Sequence, residues 1–262
     1  MLKGLIKNRK IIASLMVDDF KTKYAGTQFG ILWAFVQPVI TIVIYVFVFQ
    51  VIAKANPLEN GFPFVLWLIA GMIAWFFFSE AVMNGTGCLA DYSYLVKKVV
   101  FHIDVLPVVR VLSAIFVHLF FVAFTMLVFA LSGEKPTLHC LQILYYMVCT
   151  VALACAICFI TASVVPFFKD FAQVVNILLM IGMWVCPVMW DYKTVMPQAY
   201  HWILRLNPVF YIVQGYRDAL VEKIWVWERP GAFAGFWVTV ALIWMAGVRM
   251  FERLRVHFSD VL

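Results

Sequence analysis

The chain has 262 residues, of which 65% are hydrophobic and only 13% charged, with 20 Lys and Arg against 14 Asp and Glu. A soluble domain carries roughly a quarter charged residues, and a mean hydropathy of +0.95 excludes one here. In a chain this apolar, the net charge of +6 marks cation-rich loops on one side of a bilayer rather than nucleic-acid binding.

In chain order, residues 1–28 read as an amphipathic helix on the membrane surface. Leu5, Ile12, Met16, Phe20 and Tyr24 recur at helical spacing, and Lys3, Lys7, Lys10 and Lys21 fall opposite them. Such a helix serves either as an interfacial anchor or as a docking element for a partner. Residues 29–262 form one all-α transmembrane domain. A spanning helix needs roughly 20 mostly apolar residues, and six runs qualify: 29–52, 64–83, 105–131, 141–165, 174–189 and 233–250. The N-terminal segment, the second and fourth connections and the C-terminal tail carry thirteen cations, against Lys54 and Lys135 in the first and third connections. The long fifth connection adds five on that other side but is also rich in Asp, Glu, Trp and Tyr, and long loops obey the rule weakly. The positive-inside rule therefore puts both termini in the cytoplasm.

The connection at about 85–104 contains Ser93-Tyr-Leu-Val-Lys-Lys98. Apolar residues beside two cations in a solvated loop fit a short helix inserted into a partner's groove, with interfacial anchoring by Tyr94 as the alternative. The fifth run is short and ends in Cys186-Pro-Val-Met-Trp190. The region that follows, about 187–230, includes Val209-Phe-Tyr-Ile-Val213, apolar but too short to cross. Two re-entrant helices are expected there, and non-spanning backbone at membrane depth needs protein or a water-filled cavity around it.

Chemistry-bearing residues are sparse. Glu80 and Asn84 share one helix face near a span end, and His118 lies deep in a span. Each reads either as a functional group or as an interhelical hydrogen-bond partner. Cys155-Ala-Ile-Cys158 has CxxC spacing but no second ligand pair, so small packing residues are expected and no metal site. The chain holds no HExxH, GxSxG or GxxxxGK[ST] motif, which argues against an enzyme and against ATP binding by this chain. Gly26-Thr-Gln-Phe-Gly30 and Gly231-Ala-Phe-Ala-Gly235 match the common GxxxG pattern. Tyr45 and Trp75 sit at span centres rather than in interfacial belts, where aromatic faces either pack against lipid or stack on sugar rings.

Three motifs in order resemble one family. Gly30-Ile-Leu-Trp33 through Pro38, then Leu95-Val-Lys-Lys-Val-Val-Phe101 with Leu106-Pro107, then Asn207-Pro208 with Gly215-Tyr-Arg-Asp-Ala-Leu220 are similar to the ABC-2-type permeases that export polysaccharides, O-antigens and teichoic acids. The family usually has Phe-Pro where this chain has Phe101-His102, so the coupling segment ends differently. The resemblance implies a homodimeric channel in the bacterial inner membrane, each copy bound to a separate ATPase subunit that holds ATP and Mg. Tyr94, Leu95, Lys97 and Lys98, with Lys7 and Lys10 of the N-terminal helix, would contact the ATPase. Trp33, Tyr45, Trp75 and Glu80 would line the path of a lipid-linked glycan, and Asn207, Pro208, Tyr216 and Arg217 would form its exit. An ABC-2 exporter of a smaller drug or lipid, or a membrane-embedded glycan-modifying enzyme, are the competing readings.

Overall fold

The computed structural model describes residues 8–23, 28–58, 61–96 and 103–258. Among them every regular element is a helix. A first helix, α1 (Arg9–Lys23), precedes α2 (Leu32–Val46), which continues through a π-helical turn at Phe47–Ile52. Next come α3 (Phe64–Thr86) and two single turns, α4 (Cys88–Asp91) and α5 (Ser93–Val96). The long helices α6 (Val105–Leu131) and α7 (Gln142–Val164) follow, then the shorter α8 (Phe171–Val185). Short helices α9 (Tyr192–Val195), α10 (His201–Arg205) and α11 (Pro208–Arg217) lead to the last helix, α12 (Pro230–Leu254).

Five of these are long and apolar enough to cross a membrane, with α8 a shorter apolar helix of 15 residues. Their limits track the apolar runs in the sequence to within a turn or so, and 105–131 is met at both ends. Local chemistry sets the breaks. Gly133, at φ +88, takes the left-handed conformation that closes α6, which a residue with a Cβ adopts only at a cost. Asn207 caps α11 by accepting a hydrogen bond from the Val209 amide, and Pro208 occupies the first turn, where no amide proton is needed.

The helix α3 is the hub. Its first four turns are apolar all round and most of the helix is buried, as expected of a helix surrounded by others. Around it pack α6, α7, α8 and α11. Lipid offers no hydrophobic driving force between helices, so close approach of backbones at small residues holds the bundle. At Gly85 of α3 a Cβ would fall 2.9 Å from the Cys158 Cβ; the thiol fills that notch, facing the carbonyls of Ala81 and Val82. At Gly247 of α12 a Cβ would meet the Ala156 carbonyl oxygen at 2.8 Å. The CxxC pair is thus buried packing: Cys155 and Cys158 fill space between helices.

Two helices stay peripheral. Few residues of α2 and α12 are buried. The first helix is not free-standing either. Ile12 packs with Val105 and Val109 of α6, and the rings of Phe20 and Phe116 lie 5.0 Å apart. Its contact face thus includes Ile12 and Phe20, two positions of the apolar stripe read from the sequence.

Candidate functional site

One open-sided groove gathers several of the residues singled out above. It runs between α2, α3 and α8, with a volume of about 530 Å³. Trp33 of α2 and Trp75 of α3 face it, and Glu80 and Ser79 line the end nearer α1. From α8 come Asn176, Leu179 and Met183. Trp75 is held in place because Gly182 of α8 leaves room: a Cβ there would sit 2.9 Å from the indole. Trp33 is 44% exposed, its edge presented to the ring of Phe29 at 5.7 Å. Tyr45 is half-buried on α2, packed against the core, and is not among the groove residues.

The groove mixes apolar faces with hydrogen-bonding groups. Thr41 and Asn176 supply a hydroxyl and a carboxamide from opposite walls. Lys23, the last residue of α1, closes one end: its Nζ lies 2.7 Å from Glu80 Oε1 and donates to Asn84 Oδ1 at 3.4 Å. The shared face of Glu80 and Asn84 therefore answers to a cation from the N-terminal helix. Indoles for stacking, amide and hydroxyl groups between them, and an ion pair at one mouth suit a polar, ring-containing cargo better than a purely apolar one.

At that same end of the bundle, an ionic cluster ties α1 to the segment after α3. Arg110 of α6 reaches Asp19 at 3.2 Å and Asp91 at 2.6 Å. Tyr92 donates its hydroxyl to Asp19, and the guanidinium sits 4.9 Å over the Tyr92 ring. Asp19 is buried. Neither Arg110 nor Asp19 stands out in the sequence; the available signal is a carboxylate two turns after Ile12 and one turn before Lys23 in the helix. Tyr94 projects from this cluster, 59% exposed, and Lys10 is exposed on α1. Lys7, Lys97, Lys98 and the side chain of Leu95 lie outside the described residues, as does the Phe101-His102 pair.

At the opposite end, Arg217 is fully buried and makes no ion pair among the described residues. It donates to the carbonyl oxygens of Pro187 at 2.7 Å and Val188 at 2.6 Å, and its guanidinium stacks 3.3 Å from the Trp67 ring centroid. The turn after α8, the helix α11 and the start of α3 are thereby pinned to one cation. Tyr216, beside it, bonds His118 Nε2 at 2.7 Å, and the His118 ring stacks on Phe77 at 4.2 Å. His118 thus joins α6 to α11, an interhelical bond. Asn207 and Pro208 form the cap already described. None of these four residues lines the groove.

Bilayer-length helices carrying an open-sided, polar-and-aromatic groove define a membrane transport subunit. The family model for the ABC-2 type transporter matches residues 12–221, and the chain belongs to that family; its members are transporter permeases rather than enzymes. Among its relatives, the O-antigen export system permease protein RfbA of Myxococcus xanthus is 26% identical over 261 residues, covering 99% of this chain and 98% of the relative. A protein of the same name from Klebsiella pneumoniae is 22% identical over 245 residues, 93% of this chain and 92% of the relative. The polysialic acid transport protein KpsM of Escherichia coli is 24% identical over 220 residues, 83% and 84% of the two chains.

Proposed function

We propose that the chain is the permease subunit of an ATP-driven exporter that moves a lipid-linked cell-surface polysaccharide across the bacterial inner membrane. The observation that carries this reading is the groove between α2, α3 and α8, open along one side and lined by Trp33, Trp75, Thr41 and Asn176. A cargo of linked sugar rings needs stacking faces and hydrogen-bond partners at intervals, and the groove offers both. Its open side adjoins large exposed side chains of α2 and α8, including Val43, Phe47, Ile181 and Trp184. Two copies facing one another across these helices close a conduit, so the working unit is a homodimer. The relatives' printed names, O-antigen export and polysialic acid transport, support a polysaccharide over a small drug or lipid.

In this reading α8 is the fifth of six spans. At 1.5 Å per residue its 15 residues rise about 22 Å, and the turn that follows carries the chain to the surface. The helices α9–α11 are re-entrant, α1 lies at the cytoplasmic interface, and both termini are cytoplasmic, as the cation count requires. One ATPase subunit, which holds ATP and Mg, docks on each copy through Tyr94, Leu95, Lys97 and Lys98, with Lys7 and Lys10 alongside. The Arg110–Asp19–Asp91 cluster passes its movement to α1, and through Lys23 to Glu80 at the groove mouth. Asn207, Pro208, Tyr216 and Arg217 set the shape of the exit region.

The test is to fill the groove without disturbing the ATPase contact. Asn176→Trp should lower surface display of the glycan at least tenfold while a Walker-motif ATPase still co-purifies with the permease. Undiminished export by that variant would refute the groove as the path. A permease that purifies folded but never with such an ATPase would refute the transporter assembly.

A further inference from the structure

A second cavity, of about 640 Å³, lies at the end of the bundle away from α1, between α12 and the α10–α11 hairpin. It shares no lining residue with the groove. One wall is a stripe of α12 running from Gly231 to Thr239, about 12 Å along the axis at 1.5 Å per residue. This is the second GxxxG of the sequence, and it packs on nothing: a Cβ added at Gly231 or Gly235 would meet no atom within 4 Å. Aromatic rings of Phe210, Tyr211 and Phe236 line the interior. Both walls turn large apolar side chains outward beside the cavity, Trp202 and Leu206 from the hairpin and Val238 and Leu242 from α12. The cavity therefore opens toward the bilayer rather than toward the groove.

Its charges do not balance. Arg229 pairs with Asp218 at 3.2 Å and Glu222 at 3.3 Å, and Lys193 reaches Glu222 at 2.9 Å. Two cations thus meet two carboxylates, with Gln214 bridging the acids at 2.9 and 3.3 Å. Arg205, exposed at the end of α10, lines the same cavity and makes no ion pair or hydrogen bond among the described residues. An uncompensated guanidinium beside an apolar slot calls for an anion carrying a hydrocarbon tail.

We propose that this cavity binds one anionic glycerophospholipid of the surrounding bilayer, its phosphate on Arg205 and one acyl chain laid over Gly231 and Gly235. The lipid fills the space between the hairpin and the last helix and so holds α10–α11 against α12. The site does not depend on the transport reading, because it belongs to the isolated chain.

Native mass spectrometry of the purified chain tests it, after delipidation and addition of phosphatidylglycerol or phosphatidylcholine in mixed micelles. The wild type is expected to retain one phosphatidylglycerol per chain, with at least tenfold preference over phosphatidylcholine. Arg205→Gln should abolish the preference while leaving weak binding of both lipids. Gly235→Leu, which has room for its side chain, should abolish retention of both, and Asn176→Trp in the groove should change nothing here. Equal retention of the two lipids by the wild type, or unchanged retention in Arg205→Gln and Gly235→Leu, would overturn the proposal. So would tighter binding of a polyprenyl phosphate than of phosphatidylglycerol, which would assign the cavity to a cargo carrier.

Discussion

Arg217 and Gly71 are expected to behave as one unit. A Cβ on Gly71 would lie 2.6 Å from Arg217 Nη2 and 3.0 Å from Cζ, in a guanidinium held by the carbonyls of Pro187 and Val188. Gly71→Ala alone should therefore cost about 1–3 kcal/mol, the range for overpacking a filled interior. Arg217→Lys alone loses the planar fork, one of two charge-assisted hydrogen bonds and part of the stacking on Trp67, together about 2–3 kcal/mol. Lysine has no Nη2, so the 2.6 Å contact is gone; its Cε and Nζ replace the Nε and Cζ that lie 3.1 and 3.0 Å from the added Cβ, and without the two-carbonyl fork that flexible chain can turn aside. The double variant should be no less stable than Arg217→Lys by itself, a coupling of about 2 kcal/mol, within the range seen for residues in direct contact. Unfolding free energies in mixed micelles across the four proteins measure it. Additivity within about 0.5 kcal/mol, as found for independent sites, would refute the close-fit reasoning.

Further outcomes follow from the same geometry. Asp19→Asn removes the charge that Arg110 and Tyr92 share, and a cysteine pair at Ile12→Cys and Val109→Cys should then cross-link more slowly than with Asp19 intact; an unchanged rate would show that α1 is held by apolar contact alone. Gly85→Ala should destabilise the bundle by about 1–3 kcal/mol through its clash with Cys158, and Cys158→Ala, which removes the sulfur but leaves a Cβ 2.9 Å away, should restore only part of that loss in the same unfolding assay. Glu80→Gln removes the charge that Lys23 faces at 2.7 Å, and export should fall severalfold while the ATPase remains bound. Lys97→Glu with Lys98→Glu should uncouple export from ATP hydrolysis; full export by that pair would remove those lysines from the docking surface.

Much of the architecture was legible in the amino-acid order because the bilayer imposes it. Backbone groups must be satisfied inside each spanning segment, so runs such as 105–131 declare a helix by length and hydropathy alone, and Asn207-Pro208 declares the start of another by capping chemistry. The cation asymmetry between connections is likewise a property of the sequence. Hydropathy cannot say which helix is central, since a lipid-facing and a buried apolar surface look alike in composition. That α3 is the hub was decided by close approaches at Gly85, where Cys158 of α7 comes in, and at Gly182 of α8, which admits Trp75, each requiring a particular partner from a distant part of the chain. The ion pairs were equally invisible. Asp19 finds Arg110, Lys23 finds Glu80, and Arg217 finds two carbonyls after α8, because folding brings together groups separated by tens of residues, where no periodicity records them. The sequence by itself determined that this is a multi-pass helical membrane protein and which segments are apolar enough to cross. Only the tertiary structure decided that Trp33, Trp75 and Glu80 share a groove and Tyr45 does not, because a helix face acquires its meaning from what packs against the others.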